Sequence, residues 1–100
     1  MATRSTKRRS PQSDLVGVLY ALSDPIRLEI VRQVADRGEV PCGGFGIKMP
    51  KSSLSHHFGV LREAGILGCR TEGTSSFNFL RLKEMERRFP GLLQGILDNL

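Results

Sequence analysis

Proline and glycine cut this 100-residue chain into short pieces, and that punctuation limits the folds open to it. "SDPIR", "DRG", "PCGGFG", "EAGIL", "TEGTS" and "FPGLL" each hold a residue that starts, stops or bends a helix or strand. No apolar run between them approaches the roughly 20 residues that span a bilayer, so no membrane partner is expected. The length suits one compact domain, and a domain this small gains from pairing with a second copy.

Helical spacing begins at Asp14, with Leu15, Val18, Leu19 and Leu22 on one side. Asp24 can cap a second helix, and Pro25 suits its first turn, where a missing N–H is no loss. Ile26, Ile30, Val31 and Val34 form its inner face, and Gly38 ends it. "EVPCGGFGIKMP" holds three glycines and two prolines, which predicts a turn or one short helical piece. A third main helix runs from Pro50 to a stop at Gly65. "ILGCRTEGTSSFNFLRL" reads as a β-hairpin folded at "TEGTS". "KEMERRFPGLLQGILDNL" is helical, broken or kinked at Pro90. The result is mainly α with a β-hairpin. A hairpin after the third main helix is the winged form of the helix-turn-helix.

The net charge of +5 is uneven. Arg4, Lys7, Arg8 and Arg9 put four positive charges in the first dozen residues. Residues 1–12 therefore read as a disordered basic arm, either a finder of polyanions or a solubilising tail. Residues 13–100 form the domain. No hydrophobic segment and cleavage site follow the basic residues, so the expected location is cytoplasmic.

"PKSSLSHHFGVLREAGIL" carries the functional signal. At about 100° per residue, Leu54, Phe58 and Leu61 share one face, with His57 and Ala64 at its flank. Ser52, Ser55, His56, Gly59 and Glu63 point the other way, with Lys51 and Arg62 towards a border. Short donors on the first turns of a helix suit a major groove about 12 Å wide, where the positive helix end also favours phosphates. Adjacent histidines diverge too far on a helix to share one metal easily, and the H-E-x-x-H pattern is absent. No local motif gives a Ser–His pair an orienting carboxylate or an oxyanion site, so no enzyme is expected. His57 reads as structural and His56 as outward-facing.

"ALSDPIRLEIVRQV", "SSLSHHFGVLREAGIL" and the hairpin "RTEGTSSFNFLRL" together closely resemble the ArsR/SmtB-type winged helix-turn-helix repressors of bacteria, over most of residues 14–82. The resemblance implies a homodimer on a pseudo-palindromic operator in double-stranded DNA, shifted between binding and non-binding geometries by an effector. It assigns Lys51, Ser52, Ser53, Ser55, His56 and Arg62 to DNA, with Arg70, Glu72, Gly73 and Thr74 around the wing tip. Leu15, Val18, Leu19 and Leu22, with Leu92, Leu93, Ile96 and Leu97, would form the dimer seam, unless they serve an intramolecular core.

Three departures stand out. The thiolate metal-sensing members carry a "CVC"-like motif where this chain has "PCGGFGIKM". The alternative site on the last helix needs histidine, and the last helix here has none. Neither metal pattern is present, so no metal and no cofactor are expected. Gly59 stands where the family often has Lys or Arg. The effector is left as an unknown small molecule or a redox signal through Cys42 and Cys69, the latter beside Arg70 in sequence; the alternative is two inert cysteines. The competing function is a protein-interaction winged helix, for which exposed apolar anchors on the outer face are wanting.

Overall fold

The computed structural model describes residues 11–100, with side chains from residue 14 onward. The expected arm therefore lies outside the described residues, except that residues 11 and 12 already belong to the first helix. The order is α1 (Pro11–Ala21), α2 (Pro25–Arg37), β1 (Glu39–Pro41), α3 (Lys51–Glu63), β2 (Leu67–Glu72), β3 (Ser75–Leu80), α4 (Leu82–Arg88) and α5 (Leu92–Leu97).

Local signals set most of these boundaries. Asp24 adopts extended backbone, and its carboxylate accepts the Ile26 and Arg27 amides at 2.8 and 3.1 Å. Desolvation opposes that carboxylate's charge, yet the amides of Arg27 and Ile26 with the charge of Arg27 outweigh it. The net effect holds Asp24 below the ordinary carboxylate range. Gly38, at φ 89°, closes α2 by donating to the Val34 carbonyl at 2.8 Å. Pro90 does break the last helical stretch, leaving α4 and α5 joined through Gly91, whose amide is held by the Glu86 carboxylate.

The segment Glu39–Pro50 makes the expected turn, closed by the Gly44 amide donating to the Pro41 carbonyl at 2.8 Å, but adds a strand that was not expected. Glu39–Pro41 is a strand, and residues 43–50 contain no helix. β1 pairs antiparallel with β3, which pairs antiparallel with β2, so the hairpin is part of a three-stranded sheet of order β1-β3-β2. Proline is tolerated in β1 because that strand is an edge. One aromatic side chain anchors the rest of the loop. Phe45 is buried against Phe58 with ring centroids 5.2 Å apart. Gln33 donates to the Phe45 carbonyl at 3.0 Å and Arg37 to the Gly44 carbonyl at 2.9 Å, tying the loop to α2.

The core gathers Val18, Ala21 and Leu22 of α1, Ile30, Val31 and Val34 of α2, and Phe58 and Leu61 of α3. Val40, Ile66, Leu67, Met85 and Leu93 complete it from the sheet and the C-terminal helices. The hairpin turns in two residues, with Glu72 opposite Ser75. Gly73 has φ 62° while Thr74 stays at negative φ, the pattern of a type II′ turn.

Candidate nucleic-acid interface

α3 rests on three unrelated supports. Phe58 and Leu61 are buried in the core, and Phe45 packs beneath from the loop. The second support is Arg27, 5% exposed, which donates to the Ala21 carbonyl at 2.6 Å and the Tyr20 carbonyl at 3.2 Å. Its third arm reaches His57 Nδ1 at 3.0 Å. A guanidinium only donates, so this Nδ1 accepts and the ring proton sits on Nε2. His57 is thus structural, as expected, and it links α3 to the end of α1. The third support is Asn78 on β3, fully buried, whose Oδ1 accepts Arg62 at 3.1 Å and whose Nδ2 donates to Cys42 Sγ at 3.3 Å.

With its inner face held, α3 turns Lys51, Ser52, Ser55, His56, Gly59, Arg62 and Glu63 to solvent. Ser53 is half-buried and turns partly towards the body of the domain. The helix begins after Pro50 with no side-chain cap, leaving its first amides without a side-chain acceptor. A Cβ at Gly59 would meet open space, so this position is small without being forced to be.

The two arginines assigned to DNA are already engaged. Arg62 bonds Asn78 and lies over the Phe58 ring at 5.6 Å, although its outer surface stays exposed. Arg70 is gripped by Glu39 at 2.8 and 3.2 Å and by Glu72 at 3.1 Å, and it stacks over Phe77 at 4.8 Å. Hydrogen bonds to Glu39 and then Glu72 are the main reasons its guanidinium holds its proton even more firmly than usual. Arg70 and Cys69 are consecutive in a strand and point to opposite faces, so Arg70 is no neighbour of the Cys69 sulfur. Gly73 and Thr74 are exposed at the wing tip.

The residues assigned to the dimer seam divide. Val18, Leu22 and Leu93 are buried within the single chain, leaving almost no surface for a partner. Leu15, Leu92, Ile96 and Leu97 are half-buried, and Leu19 is exposed. Val16 and Tyr20, at 65% and 60% exposure, extend the apolar surface of α1 and were absent from the sequence reading. Val16 stands three positions before Leu19 and four before Tyr20, and that helical spacing is the signal that could have found them. Arg27 and Asn78 were also missed. Asn78 gives one hint, a lone polar residue between Phe77 and Phe79 at an inward strand position.

Among the described residues no three His, Cys, Asp or Glu side chains gather as metal ligands, and no helix is long and apolar enough to cross a membrane. No family model matches the chain. The HTH-type transcriptional regulator YceK of Bacillus subtilis is 34% identical over 94 residues, covering 91% of this chain and 94% of that protein. The homodimeric winged helix-turn-helix DNA-binding domain of Mycobacterium bovis Mb0332, a possible ArsR-family regulator, superposes with TM-score 0.72 at 24% identity, covering 98% of this chain and 91% of its own. The transcriptional repressor BigR of Xylella fastidiosa gives TM-score 0.60 at 29% identity over 78% of this chain and 88% of that one. The order of elements, the outward polar face of α3, the wing and these relatives lead to one assignment: the chain belongs to the HTH-type transcriptional regulators, a class of DNA-binding regulators rather than enzymes, and it has the winged helix-turn-helix fold.

Proposed function

We propose that the chain acts in the cytoplasm as a homodimeric, sequence-specific repressor that sets two copies of α3 into successive major grooves of a pseudo-palindromic operator. The observation that carries this reading is the outer face of α3. Ser52, Ser55 and His56 are exposed together on a helix whose opposite face is fixed at three places. Short hydroxyl and imidazole groups on such a rigid support can discriminate base edges, because a small misplacement would cost them their bonds. Lys51 and the uncapped amides of the first turn suit backbone phosphates. Gly73 and Thr74 at the wing tip suit the adjoining backbone, with Arg62 and Arg70 acting mainly as struts. That face shows no large apolar anchor of the kind protein-docking helices use.

Pairing is supported by the exposed apolar side of α1, with Val16, Leu19 and Tyr20, and by the homodimeric state of the Mycobacterium domain. In this reading the half-buried Leu15, Leu92, Ile96 and Leu97 extend that seam. Repression is supported by the likeness to BigR, itself a transcriptional repressor.

The test is selection of bound duplexes from a random pool, followed by affinity measurement against a scrambled duplex at fixed salt. An inverted-repeat consensus with half-sites about one helical turn apart is expected. Enrichment of no sequence would refute the reading.

A further inference from the structure

A cavity of about 600 Å³ lies between α3 and the wing, within the size range of small-molecule sites. Leu54 and Phe58 give it an apolar wall, while Lys51 and Arg62 line it with positive charge. No carboxylate lines it. Both cysteines of the chain open into it.

The two thiols are not equivalent. Cys42 is half-buried, and its sulfur already accepts Asn78 Nδ2 at 3.3 Å, with Arg62 at 3.9 Å. Cys69 is exposed on β2. They cannot join each other without backbone movement. Cys42 extends the pairing of β1 with β3 by donating its amide N–H to the Ser76 carbonyl, and Cys69 lies opposite Asn78 on the other side of β3. Two strand spacings, roughly 9–10 Å, and an offset of two residues along β3 separate their backbones, and a disulfide tolerates about 7 Å.

We infer that Cys69 is a modification site for small acidic disulfides, with the incoming half seated in this cavity and its carboxylates facing Lys51 and Arg62. In the step, Cys69 loses its proton to solvent and its thiolate attacks one sulfur of R–S–S–R. The Cys69–S–S–R bond forms, the original S–S bond breaks, and R–S⁻ leaves with the electron pair. The cavity opens beside Lys51 and Ser55, so a seated adduct occupies the space between recognition helix and wing. This regulatory consequence rests on the proposed DNA-binding reading.

The experiment treats the full chain with oxidised glutathione, an acidic disulfide, and in parallel with cystamine, a cationic one. Adducts are timed and mapped by intact-protein and peptide mass spectrometry. One adduct on Cys69 is expected, formed about fivefold or more faster from the acidic disulfide once both are normalised to their rates with a free thiol. Lys51→Gln should shrink that preference, Cys42→Ser should leave it, and Cys69→Ser should abolish the adduct. Equal normalised rates for the two disulfides, or first reaction at Cys42, would overturn the site. The glutathionylated protein should bind its selected duplex at least about tenfold more weakly, reversed by dithiothreitol and absent in Cys69→Ser. Unchanged affinity would overturn the regulatory role. If the unmodified protein itself fails to distinguish duplexes, that failure belongs to the DNA-binding reading, and the charge preference of the adduct is scored separately.

Discussion

α3 and the wing handle charge in opposite ways. α3 keeps Lys51, Ser52, Ser55 and His56 at its surface and directs its structural bonds inward through His57 and Arg62. The wing closes its one arginine between Glu39 and Glu72 and presents a glycine and a threonine at its tip. A polar sequence looks alike in both places, but its capacity to meet another molecule differs. On this account the helix discriminates between sequences, and the wing supplies shape and backbone position more than charge.

The comparison breaks most visibly where the helix loses its support. Phe45→Ala removes the aromatic anchor beneath α3. It should lower unfolding stability by about 3 kcal/mol, measured by urea denaturation. An unchanged midpoint would mean the loop does not buttress α3. Asn78→Ala leaves Arg62 and the Cys42 sulfur without their buried partner, and about 1–3 kcal/mol of stability should go. Affinity for every duplex should fall alongside, since helix and wing lose their common strut.

Ser55→Ala or His56→Ala sharpens the comparison from the other side. Each should cost about 1–3 kcal/mol on the selected duplex and little on random duplex, with stability unaltered. A uniform loss on all sequences would move these residues from base reading to backbone contact. Lys51→Gln should lower the salt slope of binding by about 1, while Arg70→Gln should leave the slope in place because its charge is already paired. A drop for Arg70→Gln equal to that for Lys51→Gln would erase the distinction drawn between the two elements.

The smallest effect concerns pH. The hydrogen bond from Arg70, partly opposed by desolvation and aided by its charge, holds the Glu39 carboxyl below its usual range. A depressed carboxyl stabilises the folded state above its unfolded value of about 4.3, and the contribution fades as pH falls through the lower folded value. The difference in melting temperature between wild type and Glu39→Gln should therefore be present at pH 6 and shrink towards pH 3.

Features written in neighbouring residues were legible in the sequence. Asp24 with Pro25, Gly38, the two-faced stretch from Pro50 to Gly65, "TEGTS" and Pro90 each act within a few positions, and each marks an element where it was expected. β1 was not legible, because three residues cannot show a period and its partner β3 lies over thirty positions away. The struts were hidden for the same reason. Arg27 meets His57 thirty positions along, and Arg70 meets Glu39 across thirty-one. A basic residue on a polar face looks free until the acceptor that folds against it is known. Val18, Leu22 and Leu93 were assigned to the seam with aliphatic neighbours that carry the same spacing, and spacing alone does not separate a core from a seam; all three are interior.

The central claim is that the outer face of α3 reads base sequence. The most direct test is the ratio of affinities for the selected duplex and a scrambled one, at one salt concentration, for wild type and His56→Ala. Wild type should discriminate by at least about 1,000-fold, and His56→Ala should lose about tenfold or more of that ratio. A wild-type ratio near one, or a ratio that His56→Ala leaves untouched, would contradict it.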